Sequence, residues 1–476
     1  MIVNDSVMKK MKIRFSETQL QFSLGILLFI FNAKRLGECI DIGALGVNLG
    51  SVYLWKCFLV SLSVYSAILI LAALSAYCLK FLSSAFIFIA GLFFLFFCVE
   101  VVLNTGCETF PRDILTLILC LIVPILFINR KKLPRVRYKL RLFDVLIVAW
   151  AILTMLAYLK YNFVLSRPLL IDEKGLWFTL ARRLTESRLP LLYERGLPAG
   201  IPFISALPNI LLRTHFEGSL FFMPIVLIMA LTIFLNFLKK DGWSFVFFLY
   251  AIVFTINRHA WLRQLTFGSI YGEGLSAVFF LLVTYELFKR RNGNVTFTQV
   301  LVLSFSTGML ALAKLPASAV FFSFFPLLLM LRRLNAREKI MVATVFVLPI
   351  LSWNPISPLA RHYASSFFAF DFKLILPIFA YLIKNYQWAV IFAILSLLLI
   401  FITFRKKEFL YITPIFFLVL FEFYGYSTIF ANADYESIAR YLMHGMLALY
   451  YLGAIGFSRL VNKIWNGRNR PLLDAP

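Results

Sequence analysis

The sequence predicts an all-α, polytopic bundle of transmembrane helices with about 14 spans, and three observations lead there. The first is composition: 61% of the 476 residues are hydrophobic, only 15% are charged, and Phe alone occurs 53 times. An ordinary soluble domain is about half apolar and a quarter charged, so a water-facing surface cannot be assembled from this chain. The second is the recurrence of apolar runs of about 18 or more residues, each long enough to cross a hydrocarbon core of about 30 Å. A helix is the natural form for such runs, because it satisfies its own backbone hydrogen bonds where no water reaches. The third is the placement of charge. The net charge is +24, and its Lys and Arg residues sit in short clusters between the apolar runs.

Those clusters set the expected topology. Lys9, Lys10, Lys12 and Arg14 precede an apolar run from Phe22 to Ala33, which places the N-terminus in the cytoplasm. Runs at 52–79, 81–103 and 113–129 follow, and then a loop from Arg130 to Arg141 with seven basic and no acidic residues. Further spans are expected near 143–159, 219–238, 244–257, 269–288, 297–313, 315–332, 340–353, 388–404, 409–427 and 440–458. Every second connection is basic: Lys239-Lys240, Lys289-Arg290-Arg291, Arg332-Arg333, Arg405-Lys406-Lys407 and the tail from Arg459. The segments 160–218, 258–268, 354–387 and 428–439 then lie outside. The first is the longest. Its stretch Ile201 to Leu212, interrupted by Pro202 and Pro208, reads as a helix along the membrane interface, as does Leu374 to Ile383.

Several classes are disfavoured. A basic groove for nucleic acid needs a soluble domain to carry it, so nucleic acid is not an expected partner. All six cysteines lie in the first 120 residues without CxxC spacing, and they read as small apolar side chains. Their confinement supports a boundary near residue 130, with 1–130 as accessory helices and 131–476 as the core. The four histidines show no HxxxH or HxH spacing, which disfavours a histidine metal site. Walker A, GxGxxG and GxSxG patterns are absent, so nucleotide-driven pumping and serine hydrolysis find no support.

The sharpest polar feature is Asp172-Glu173, followed by Trp177, at the start of the long outer loop. Two adjacent carboxylates near a membrane repel each other, which raises the affinity of one for a proton and makes it a candidate base. From periodicity alone, an N-cap for the helix-prone run from Gly175 to Ser187 is the favoured reading of Asp172, and the two roles are compatible. Lys314, in Gly308-Met309-Leu310-Ala311-Leu312-Ala313-Lys314, either faces an interior anion or snorkels from a helix end. Arg440-Tyr441 opens the last span, where a guanidinium can clamp an anionic headgroup. Arg258 and Arg263 with Glu273 lie on the same expected side, as do Arg361 and His362. Taken singly, each of these reads as a solvated loop charge.

In this order the features resemble the GT-C superfamily of membrane glycosyltransferases, in particular the bacterial branch with the lipid A aminoarabinose transferases, related to protein O-mannosyltransferases. The resemblance covers roughly residues 143 to 460 and rests on the acidic pair Asp172-Glu173, the segment Gly196 to Pro202, Lys314 and Arg440-Tyr441. Four extra spans precede that core, Ala313 stands where the family has threonine, and the aromatic after the acidic pair is Trp177 in place of the common tyrosine. The resemblance implies a polyprenyl-phosphate sugar as donor, with a glycan, lipid or protein as acceptor, at the extracytoplasmic face of the inner membrane. Asp172, with Glu173 beside it in the catalytic pair, would act as general base, or Asp172 would help bind a divalent metal ion. Lys314 and Arg440, with Arg258 or Arg263, would offset charge on the departing phosphate, and Tyr441 and Glu273 would line the same substrate site. Two rivals stay open: an O-antigen-type polymerase or ligase, and a lipid or solute transporter, for which paired broken helices would be the signature.

Overall fold

A computed structural model of the chain describes residues 17–31, 52–78, 83–104, 110–128, 141–159, 181–182, 184–185, 200–212, 224–256, 273–291, 295–313, 334–352, 375–409, 412–413, 415 and 435–466. Among the described residues all regular structure is helical. In chain order the helices are α1 (Glu17–Phe31), α2 (Val52–Cys78), α3 (Ser84–Asn104), α4 (Pro111–Ile128), α5 (Leu142–Leu159), α6 (Gly200–Leu212) and α7 (Pro224–Leu238). They continue as α8 (Gly242–Ile256), α9 (Glu273–Lys289), α10 (Phe297–Met309), a 3-10 turn at Leu310–Ala313, α11 (Ala336–Ser352), α12 (Ile375–Thr403) and α13 (Tyr435–Asn466). Three of them contain segments long and apolar enough to cross a membrane, Trp55–Ala76, Ser84–Val102 and Leu376–Thr403, and six shorter apolar helices accompany these.

The core is one continuous apolar cluster. α3 sits inside it, against α2, α4, α6, α7, α9, α10 and α11, while α13 packs on α8, α9 and α12. Packing is therefore continuous across residue 130. An accessory role for 1–130 would be a statement about chemistry, since those helices share the core of the rest.

Polar side chains sort to the two ends of the bundle. At one end Lys239 pairs with Asp144, and Ser458 donates to Asp241 at 2.7 Å. Arg291 and Arg459 both reach Glu408, at 2.8 and 2.7 Å. Glu286 pairs with Arg290 and accepts the Ser83 backbone N–H at 2.7 Å. The connections containing residues 83, 141–144, 239–241, 289–291 and 405–408 and the end of α13 thus share one end. The opposite end holds Ser352, whose hydroxyl lies 3.0 Å from the Glu100 carboxyl.

One expectation is corrected. The stretch 201–212 is no interfacial helix: α6 is buried from Gly200 through Ile210, against α2, α3 and α4. Pro208 lacks the N–H that would bond the carbonyl of Ile204 four residues back, and the Tyr65 hydroxyl of α2 donates to that carbonyl at 2.7 Å. A neighbouring helix thus satisfies the group that proline orphans, which permits burial. From Ile375 the stretch expected at Leu374 to Ile383 forms the first segment of α12, parted by a kink at Tyr386 (φ −130°, ψ 34°) from the segment that follows.

Gly308 sets the approach of α10 to α11. A Cβ there would lie 3.2 Å from the Phe346 carbonyl carbon and 3.4 Å from Pro349 Cδ, closer than packed atoms sit without strain. Gly308→Leu is expected to destabilise the protein by about 1–3 kcal/mol through overpacking, with Gly308→Ala losing less. Thermal unfolding in detergent checks this, and unchanged midpoints for both variants would show that the helices are not held this close.

Candidate functional site

Three helix ends meet where α6 begins, α9 begins and α10 tightens into its 3-10 turn. The last carbonyls of a helix lack intrahelical donors. Here the buried Ser276 hydroxyl, in the first turn of α9, donates to the Ala313 carbonyl. Gly200 opens α6 against the same turn: a Cβ would stand 2.5 Å from the Leu312 carbonyl oxygen and 2.9 Å from Phe93 Cε1. Only glycine allows this approach. Pro202 follows in the first turn of α6, where its missing N–H costs nothing.

This junction brings together parts of the sequence that were singled out separately. Gly200 belongs to the segment Gly196 to Pro202, Ala313 immediately precedes Lys314 in the chain, and Glu273 is the first residue of α9, one turn before Ser276. Asp172, Glu173, Trp177, Arg258, Arg263, Lys314, Arg361 and His362 lie outside the described residues. Glu273, Arg440 and Tyr441 have their backbones in α9 and α13, but their side chains lie outside what is described. Among the described residues no three His, Cys, Asp or Glu side chains gather to hold a metal ion. Asp172, which the resemblance offers as a base or as a helper in binding a divalent ion, is not among them.

Beside the junction, α2, α3, α4, α10 and α11 line an open apolar groove of about 680 Å³, with Ala72, Gly91, Phe94, Leu119, Val302 and Val345 in its wall. Small residues at 72, 90 and 91 make the room. Its lining carries no titratable side chain, so it can hold an apolar chain but cannot exchange a proton.

Four buried carboxyls escaped the sequence reading as individual residues: Glu100, Asp144, Glu286 and Glu408. A signal was present for two of them, since Glu100 and Glu286 are single acids inside apolar helices, positions where a charge is expensive and needs a partner. Glu286 has one in Arg290 on the next turn. At Glu408, burial pushes the carboxyl up, but hydrogen bonds from Arg459 and the Arg405 backbone and the charges of Arg459 and Arg291 outweigh it and hold it down at about 2. Asp144, Glu286 and Glu408 lie at the end of the bundle where the basic connections meet, apart from the junction of α6, α9 and α10, whereas Glu100 lies toward the opposite end.

Compared with protein-family models, curated proteins and solved structures, the chain matches none.

Proposed function

We propose that the protein is a multi-pass membrane glycosyltransferase that moves a sugar from a polyprenyl-phosphate carrier to an acceptor at the extracytoplasmic face of the inner membrane. The observation that carries this is the junction of Gly200, Ser276 and Ala313. It brings Gly200 of the Gly196 to Pro202 segment, Ala313 of the run leading into Lys314 and the first turn of the Glu273 helix together beside Phe93, midway along α3. In the proposed reaction an acceptor hydroxyl or amine attacks the anomeric carbon as the bond from that carbon to the phosphate oxygen breaks. Asp172 takes the acceptor's proton, with Glu173 beside it, and any divalent ion would be held through Asp172. Lys314 and Arg440, with Arg258 or Arg263, offset the charge left on the phosphate, a task suited to cations fixed in a partly dry site. Tyr441 and Glu273 complete the substrate site. The apolar groove between α2, α3, α4, α10 and α11 offers room for part of a prenyl chain.

About 14 spans and a GT-C-like core belong to this proposal. Cysteine labelling tests the topology: a cysteine introduced at position 190 is expected to react with an impermeant reagent from outside the cell. Reaction only from the cytoplasmic side would invert the topology and remove the basis for an external site.

One observation favours a second reading, a transporter. α6 has 13 residues, about 20 Å at the helical rise, too short to span, and it is buried beside a helix that changes from α to 3-10. Short buried helices next to broken ones are what transporters place around a substrate. Flux of a lipid or solute through reconstituted vesicles without any new glycosidic product would decide for it.

A further inference from the structure

We propose that the corner formed by the connection 404–409 and the last turns of α13 binds the headgroup of an anionic phospholipid. Glu408, the acid of this corner, is already engaged by two guanidiniums, accepting from Arg291 at 3.0 Å and from Arg459 at 2.7 and 2.8 Å. Around it Arg405, Lys406 and Lys407 are exposed, and so is Lys463. Lys463 lies four residues beyond Arg459, on the same face of α13 one turn further on. The Arg459–Glu408 contact therefore carries it to the edge of the same connection. None of these four cations pairs with an acidic side chain among the described residues. Four like charges at one corner repel one another, and an anion from outside relieves that repulsion.

The flanks make the anion a lipid. The face of α12 turned away from α13 exposes Ile391, Leu398, Phe401 and Ile402, an apolar stripe that leads directly to Arg405. On its other face α12 meets α13 closely, Leu399 and Thr403 lying against Gly456. Beside Lys463, Ile464 is 75% and Trp465 58% exposed, and tryptophan favours the level of lipid headgroups. Free phosphate would use the cations and ignore the stripe and the indole. A phospholipid uses all three, its chains on α12 and its headgroup among Arg405, Lys406, Lys407 and Lys463. This site is independent of the proposed sugar transfer and needs only that the bundle sits in a membrane.

The test is native mass spectrometry of the full chain released from mixed vesicles of phosphatidylglycerol and phosphatidylcholine with matched acyl chains. The wild-type protein is expected to retain phosphatidylglycerol preferentially, and added salt to weaken that preference. A basic residue near an anionic surface is worth about a fivefold preference. The triple variant Lys406→Gln, Lys407→Gln, Lys463→Gln should therefore lose roughly a hundredfold in preference. All three side chains are exposed, so its unfolding temperature should match wild type. As a charge control, Arg337→Gln with Lys339→Gln, two exposed cations on α11, should leave the preference unchanged. Equal retention of the two lipids by wild type, an undiminished preference in the triple variant, or an equal loss in the control would overturn the proposal. So would displacement of phosphatidylglycerol by millimolar inorganic phosphate, which would make the corner a site for free anions.

Discussion

Replacing Glu408 by Ala is expected to destabilise the protein by about 3 kcal/mol, among the largest effects of any single change outside the proposed active site. The carboxylate is the shared acceptor of two connections and the last helix: Arg291 follows α9, Arg459 belongs to α13, and Glu408 itself follows α12. Both guanidiniums also lie over aromatic rings, Arg291 at 3.9 Å from the Phe288 centroid and Arg459 at 4.4 Å from that of Phe404. Removing the acid leaves those cations in the same low-dielectric corner without their common carboxylate. The figure stands at the low end of the range for breaking a buried ion pair because Arg459 keeps 20% exposure. The pH dependence has a definite sign. The folded carboxyl is held at about 2, below its ordinary 4.5, so its contribution is complete above pH 4.5 and is lost as pH falls toward 2. Glu408→Gln keeps the shape and removes the charge. The gap in unfolding midpoint between wild type and this variant, measured in detergent, should be widest above pH 4.5 and close as pH falls toward 2. A gap that is constant over that window would show that the charge is not what stabilises the corner.

Several helices were legible because long apolar runs leave the backbone few choices. Runs expected at 52–79, 113–129 and 143–159 appear as Val52–Cys78, Pro111–Ile128 and Leu142–Leu159, each bounded by polar residues that the sequence shows directly. The grouping of basic connections was legible for the same reason, and ion pairs from Asp144, Arg291 and Arg459 now show several of them meeting at one end. α6 was not legible. Two prolines and a short apolar run read as an interfacial segment, and nothing local announces that a tyrosine 139 residues away caps the orphaned carbonyl of Ile204. The partners of Glu286 and Glu100 were hidden likewise: Ser83 and Ser352 lie 203 and 252 residues away in the chain. At the candidate site, the sequence supplied residue types in an order but no distances. The meeting of Gly200, Ser276 and the 3-10 turn depends on three separate helix ends, a property of packing that no local pattern encodes.

Asp172→Asn is expected to lower sugar transfer by about 10²- to 10⁴-fold, the usual worth of a positioned general base, while binding of the polyprenyl-phosphate donor stays near wild type. Asparagine is as good an N-cap as aspartate, so the variant separates the two roles that the sequence allows this residue. If Asp172 only caps the run from Gly175 to Ser187, its replacement leaves both folding and transfer almost intact. If it takes the acceptor's proton, the attack on the anomeric carbon loses its base although the site remains assembled, and the loss appears in turnover and not in donor affinity. Lys314→Gln should behave differently. A cation that offsets charge on the phosphate meets that group in the bound donor as well as at the transition state, so both affinity and rate should fall. Transfer from a synthetic radiolabelled polyprenyl-phosphate sugar, followed alongside direct donor binding, resolves the two patterns. Wild-type rates in Asp172→Asn would leave the residue as a cap and remove it from the chemistry. The transporter reading, which the short buried α6 already favours, would then be the one to pursue by measuring flux.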